Sequence, residues 1–326
     1  MAGPLDILYL AEAEPEAAVL SSGVLAHMVR EARGARFTVV GSPQTAPLFR
    51  DTPGLEKLIV LPGESRADWF RLWDRLKDRR WSVIVDMRGS ELSRWLRREK
   101  RAVRAPSPEP EHAVLAAARV LRLEEPAAPF LYFGEETKAA ADARVGTGRP
   151  ILAVGPGVDW IGKRWPAERF TKVAARLLGP GGPMEGGRLM LVGSAADRDA
   201  AHTIRFAVAR ERTIELQGKL DLLETAAALR HARMFIGADS IWTQLAVAAG
   251  VPSLAVFGPS DEAITGPWGG KAVRGSRSLE EFRVIDPGLN LHIQHMMDVP
   301  VEPVLAAALK LHARTEPEPI LEPAHG

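Results

Sequence analysis

Short apolar runs alternate with amphipathic stretches along most of the chain, and the alternation restarts once. DILYLA (6–11), FTVVG (37–41), KLIVLP (57–62) and WSVIVDM (81–87) read as strands. Helical patterns fill 15–32, 66–80, 91–99 and 110–123 between or after them. The strand-like runs are nearly continuous rather than alternating, which is the pattern of strands buried on both faces of a parallel sheet. EETKAAADARVGTGRP (135–150) interrupts the rhythm with charge and then Gly and Pro. ILAVGP (151–156), RLMLVG (188–193), MFIG (234–237) and SLAVFG (253–258) then resume it, with helical patterns at 166–178, 196–209 and 221–232. The expectation is an α/β protein of two units, with ligands beyond the carboxyl ends of the strands.

Length supports the same division, since 326 residues suit two domains better than one core. Lys+Arg total 42 against 41 Asp+Glu, so no global charge argues for a nucleic-acid partner. The absence of cysteine excludes disulfides, thiol catalysis and cysteine-held metal. No window offers 18 uncharged apolar residues, and MAGPLDILYLAEAEPE lacks the basic start of a secretory leader, so a cytoplasmic chain is expected. RADWFRLWDRLKDRR (66–80) sets Trp69, Phe70, Leu72, Trp73 and Leu76 against five arginines. A helix covering a sheet accounts for that stripe, and contact with an anionic membrane face is the alternative. RWLRREKRAVR (94–104) reads as an arginine-rich helix, suited to an anionic ligand. TEPEPILEPAHG (315–326) reads as a frayed tail.

The usual chemical fingerprints are missing. AEAEPE follows the first strand where a dinucleotide site wants GxGxxG, and there is no GxxxxGK[ST], HExxH or GxSxG. His292 and His295 are read as a solvated pair, and no metal is implied. Two stretches of the second half carry chemistry. GPGVDWIGKRWPAERF (155–170) puts a post-strand glycine turn and the cations Lys163 and Arg164 just before a helix start, which suits phosphate. The alternative is a solvated basic turn over a packed Trp165. FIGADSIWTQLAVAAGVPSLAVFGPSD (235–261) brings Asp239, Ser240 and Ser260 to two consecutive post-strand loops. A plain helix cap would also explain Asp239 or Ser240.

KRWPAERF, QGKLDLLETAAALRHARMFIGADS and AVAAGVPSLAVFGPSD resemble the blocks KRWPxExF, the glycine-led helix before strand and Asp-Ser/Thr, and AaAlGvPtvalFGPT of the ADP-heptose:lipopolysaccharide heptosyltransferases, glycosyltransferase family 9. DMRG (86–89) resembles their DLQG, and EHAVLAAARVL (111–121) a segment lining their acceptor side. The resemblance implies a GT-B fold, two Rossmann-like α/β domains facing across a cleft. It implies inverting, metal-independent sugar transfer from a nucleotide-sugar donor, ADP-linked and with no separate cofactor, to a glycolipid or glycan acceptor at the inner membrane face. Donor contacts would fall to Gly157, Asp159, Lys163, Arg164, Ser194, Asp239, Ser240, Ile241, Gln244, Gly258 and Ser260, with Lys163 at the departing phosphate.

Departures from the pattern matter as much. The family's SLGDVI, with its basic aspartate, falls on Glu16-Ala17-Ala18 here, and alanine accepts no proton. Glu12, Glu14 and Glu16 are the carboxylates that remain to serve as general base. In place of DTGxxHL the chain has Asp239-Ser240-Ile241-Trp242-Thr243-Gln244-Leu245, so Ile241 replaces a glycine and Gln244 a histidine. Asp159 stands where a threonine is common. Two readings follow: an active transferase with a displaced base, or a non-catalytic relative that serves envelope glycan assembly. The expected organisation is an acceptor domain over 1–147, a donor domain over 148–298, a helix at 299–313 crossing back to the first domain, and a tail over 314–326.

Overall fold

The computed structural model describes residues 4–315. The first sheet holds β1 (Asp6–Leu10), β2 (Arg36–Gly41), β3 (Leu55–Val60), β4 (Trp81–Asp86) and β5 (Arg98–Val103). All are parallel, in the order β3-β2-β1-β4-β5. Its helices are α1 (Pro15–Leu20), α2 (Ser22–Glu31), α3 (Arg66–Leu76), α4 (Leu92–Trp95) and α5 (Ala113–Val120). α6 (Glu135–Val145) leads to the second sheet of β6 (Ile151–Gly155), β7 (Arg188–Leu191), β8 (Thr213–Glu215), β9 (Met234–Ala238), β10 (Ser253–Phe257) and β11 (Lys271–Arg274). These are also parallel, ordered β11-β10-β9-β6-β7-β8. Helices α7 (Ala167–Leu178), α8 (Arg198–Ile204), α9 (Leu222–Leu229), α10 (Ile241–Ala248), α11 (Glu262–Thr265), α12 (Leu279–Ile285) and α13 (Val301–Arg314) complete it.

The central strands are buried because helices cover both faces, as their unbroken apolar runs demand. Strand order reverses beside β1 in the first sheet and between β6 and β9 in the second. Those switch points open crevices at the carboxyl ends of β1, β6 and β9. The two sheets share an apolar cluster that runs from Tyr9, Phe37 and Phe49 through Ala141 and Val145 of α6 to Ile151, Ala153 and Phe235. α6 lies on α9, and α1 on α10, so the halves meet on both sides of a cleft. We propose the chain's division at 147/148, with α6 as the bridge.

Several expectations need correction. The arginine-rich 94–104 is not a helix: α4 stops at Trp95, and Arg98–Val103 pairs in parallel with β4 as an edge strand. Its charged side chains are good helix formers, but the unpaired edge of β4 takes the backbone, and charge is what an edge strand tolerates. The helix expected over 15–32 breaks at Ser21, which ends α1 and begins α2. α13 does not cross back: Val304, Ala308 and Leu311 bury against α7 and the second sheet, where that core lacked a cover. His295 is buried, not solvated; its ring packs edge-on to Phe282 and tilted against Trp160 and meets Asp286, while His292 is exposed. The predicted tail lies, from residue 316 on, outside the described residues. Among the described residues no helix is long and apolar enough to cross a membrane.

Candidate active site

Five loops at the carboxyl ends of β1, β6, β7, β9 and β10 surround the cleft. Pro15 at the first helical position starts α1 directly after the β1 loop. Glu16 therefore sits in the first turn of α1, at the first sheet's switch point. From the second half, a single 3-10 turn over Ile161–Lys163 delivers Lys163. The turn is held from behind, because Trp165 is fully buried and its indole N–H donates to the Val299 carbonyl at 2.9 Å. The packed tryptophan and the cleft-facing cation thus coexist, and the turn is not merely solvated.

Lys163 Nζ lies 3.0 Å from Asp239 Oδ2 and 3.7 Å from Asp159 Oδ1. Asp239 is buried and also accepts from the Thr265 hydroxyl at 3.4 Å. Burial pulls the Lys163 ammonium down, but Asp239, Asp159 and Glu16 outweigh it and hold the group above its ordinary value. The same cluster acts oppositely on Glu16. Burial first, then the negative charges of Asp239 and Asp159, push its carboxyl up to about 7 against the pull of Lys163. A carboxyl that titrates near neutrality beside a permanent cation is the environment of a general base.

The three glutamates separate clearly. Glu12 is ion-paired with Arg104 from the end of β5, so its carboxylate is engaged. Glu14 is exposed at the mouth, where it precedes α1 without capping it. Only Glu16 is both half-buried and turned to the cation. It lines two cavities with Glu14, one of about 360 Å³ and one of about 470 Å³. The first is walled by Arg104 and Ala113 from one half and Lys163, Asp239, Ser260 and Thr265 from the other. The second is walled by Gly157, Asp159, Ser194, Asp197, Ser240 and Ile241.

Most of the expected donor residues thus line one cleft, but three do not. Arg164 is exposed and lines neither cavity. Gln244 is fully buried and its amide donates to the Thr265 carbonyl at 2.7 Å, so it braces the α10–α11 contact. Gly258 lies behind the loop; a Cβ there would overlap the Met296 sulfur, and its carbonyl accepts from Arg274. Ser194 reaches the cavity wall with its hydroxyl tied to Asp197 at 2.8 Å. A Cβ at Gly157 would overlap the Asp197 carboxylate, so a larger residue there would push that carboxylate from its place beside Ser194. Ser240 occupies the N-cap position of α10 without capping it, and its buried hydroxyl has no partner, as is true of Ser260. Two orphaned hydroxyls on one cleft wall fit a polar ligand better than a cap.

Sequence reasoning missed Asp197 and Arg274, and took Arg104 only as the last residue of an arginine-rich helix. Arg274 donates to the Gly258 and Ser260 carbonyls at 2.5 Å each and pairs with Glu262, so it shapes the whole post-β10 loop. Its only sequence signal was a cation at the end of a short run, KAVR, within a glycine-flanked segment.

A family model described as glycosyltransferase family 9 (heptosyltransferase) matches residues 86–283. Lipopolysaccharide heptosyltransferase 1 of Pseudomonas aeruginosa is 27% identical over 227 residues, 62% of this chain and 61% of that protein. Lipopolysaccharide heptosyltransferase 2 of Salmonella typhimurium is 27% identical over 178 residues, covering 53% of this chain and 49% of that one. The matches therefore span about half to three fifths of these curated relatives. The solved structure of Escherichia coli ADP-heptose lps heptosyltransferase II superposes with a TM-score of 0.70 at 19% identity, over 96% of this chain and all of that one. The fold is accordingly GT-B, two parallel-sheet α/β domains across a cleft, and the chain belongs to glycosyltransferase family 9, the heptosyltransferases.

Proposed function

We propose that the chain transfers a sugar from an ADP-linked donor to a glycolipid core acceptor of the lipopolysaccharide type, by single displacement with inversion and without a metal. The observation that carries this reading is the opposition of Glu16 and Lys163 on facing loops at the two switch points. The acceptor hydroxyl gives its proton to the Glu16 carboxylate as its oxygen attacks the anomeric carbon. The bond from that carbon to the donor's phosphate oxygen breaks on the opposite face, and the electron pair leaves with ADP. Lys163 meets the charge that grows on that phosphate, where preorganised charge counts most. The free N–H groups at the start of α10 and the Ser240 and Ser260 hydroxyls complete the diphosphate cradle. Asp159 faces this cradle, but its side chain is 75% exposed, and a pair of that kind contributes only about 0–1 kcal/mol. An arriving diphosphate displaces it. The ADP linkage follows the donor named for the Escherichia coli structure.

The second reading, a non-catalytic relative, is favoured by Ile241, whose side chain lines the cavity where a glycine would leave room. Calorimetry with ADP and ADP-heptose, followed by transfer to a truncated lipopolysaccharide core in the presence of chelator, separates the two. Binding and transfer are expected, with Lys163→Ala weakening ADP. Because that change strands Asp239 as a buried charge, at about 3–5 kcal/mol, Lys163→Ala/Asp239→Asn is the cleaner variant. No binding of any nucleotide or nucleotide sugar overturns the proposal, and binding without transfer selects the second reading.

A further inference from the structure

Charge and aromatic side chains are unevenly distributed over the molecule. Residues 64–104 hold thirteen Lys+Arg against seven Asp+Glu, although the whole chain is only +1. The same segment contains four of the eight tryptophans. Trp81 is core, but Trp69, Trp73 and Trp95 gather with Phe70 around an open groove of about 720 Å³ between α3 and the 88–95 segment. α3 needs little of this for folding. Leu72 and Leu76 are its buried anchors, with Trp69 and Trp73 half-covered. Phe70 remains 63% exposed and Trp95 73%. The ridge is nonetheless ordered: the Phe70 and Trp73 rings lie 5.6 Å apart, and the Trp73 indole donates to the Trp95 carbonyl at 3.3 Å.

A cation underlies the aromatics. Arg88 is 94% buried by its neighbours, with a side-chain exposure of only 6%, and its guanidinium sits 6.0 Å from the Trp69 ring. Nε donates to the Ala11 carbonyl at 2.7 Å and Nη1 lies 3.4 Å from the exposed Glu64 carboxylate on the groove wall, whereas Nη2 has no partner. Along the flanking chain, Arg66, Arg97 and Arg101 are exposed without a carboxylate partner among the described residues, and Arg94 has only a local one, while Arg71 and Arg75 line a separate cavity at the end of β3 and Glu64 and Glu91 line the groove itself. Exposed Trp and Phe carried on a basic segment are what a bilayer interface selects, because the rings partition to the headgroup level and the cations meet anionic lipid.

We propose that this groove and its rim seat the protein on an anionic lipid bilayer, with Phe70 and Trp95 entering the headgroup–acyl boundary and Arg88 at the groove floor for a headgroup phosphate. This rests on the transferase reading for its purpose. Arg88 ties the groove to Ala11, at the start of the loop that carries Glu16, so a bilayer docked here borders the acceptor side of the cleft. Binding to lipid does not require turnover, so the two proposals fail separately.

The test is co-sedimentation of the full chain with vesicles of phosphatidylglycerol and phosphatidylcholine, compared with phosphatidylcholine alone. Binding is expected only to the anionic vesicles, weakening with salt, with tryptophan emission shifting blue. Phe70→Ser/Trp95→Ser should weaken it roughly ten-fold or more. Arg97→Glu and Arg101→Glu should each weaken it by about five-fold or more, as expected for a basic residue near an anionic surface. Both sites are exposed, and unchanged ADP binding or thermal melting verifies that the variants fold. Failure to bind anionic vesicles overturns the proposal, as does binding that the aromatic double variant leaves intact. Self-association without lipid that the same variant abolishes also overturns it, and assigns the groove to a second copy of the chain.

Discussion

Glu12, Glu14 and Glu16 lie within five residues and share a residue type, yet only one is placed to take a proton. Glu12 is taken by Arg104, 92 residues away, and Glu14 faces solvent. The first turn of α1 buries Glu16 opposite Lys163. Glu16→Gln should therefore lower kcat by about 10²–10⁴-fold with ADP affinity retained, whereas Glu14→Gln should not. The base proposed here works deprotonated, so kcat/KM should fall as pH drops through about 7, and the Gln variant should lose that limb. Stability runs the other way. A carboxyl raised from 4.5 to about 7 in the folded state favours folding below 4.5, and that contribution is lost as pH rises through 7. At pH above 7 the wild-type chain carries this cost, on the order of 3 kcal/mol at most. Glu16→Gln should thus melt higher than wild type at alkaline pH, with the gap closing in acid. Sequence reasoning narrowed the candidate base to three side chains but could not separate them, because burial and ion pairing by partners distant along the chain are what tell them apart.

At the level of elements, the parallel strands of both sheets were legible because burial on both faces leaves an unbroken apolar signature. β5, β8 and β11 were not. REKRAV, TIE and KAVR are edge or near-edge strands whose composition is charged, and pairing with a neighbour, not propensity, makes them strands. Two of these strands border the cleft, since β5 ends beside Arg104 and β11 ends at Arg274. Both cations are placed in or behind the cleft by strands that carry no periodic signal. Arg274 holds the post-β10 loop through two carbonyls and Glu262, bonds of the charge-assisted kind. Arg274→Ala should release the Ser260 loop. We expect a loss of about 2–4 kcal/mol in chemical denaturation and a weaker ADP complex, since Ser260 lines the cradle. Arg274→Lys, which can keep one carbonyl but not the fork, should recover less than half of either. Unchanged ADP affinity in Arg274→Ala would remove the loop from the donor site.

Over the whole molecule, the proposed transfer depends on how the two halves are held, because Glu16 belongs to one and Lys163 to the other. On one side α6 packs on α9, and Arg50 pairs with Asp221 at 2.5 Å and Glu224 at 3.9 Å. On the other side, α5 reaches the second half through His112. Its Nδ1 accepts from the Val114 N–H at 3.2 Å, so Nε2 carries the proton and donates to the Gly266 carbonyl at 2.9 Å. The ring also lies 4.9 Å from Trp268. This imidazole is both the N-cap of α5 and a strut across the cleft, and Gly266 follows α11, whose Thr265 binds Asp239. His112→Asn keeps a cap but is too short for Gly266, so it separates the two roles. The Asn variant should melt within about 1 kcal/mol of wild type, whereas His112→Ala should lose the cap as well. Both should open the cleft, read as a larger radius of gyration in solution scattering that ADP no longer reduces. Donor affinity should change little, because the proposed donor contacts lie in the second half. Acceptor kcat/KM should fall by roughly 10-fold or more, since a base displaced by about an ångström loses its reach. An Asn variant with wild-type turnover and an unchanged radius would mean that α6 and Arg50 alone set the closure.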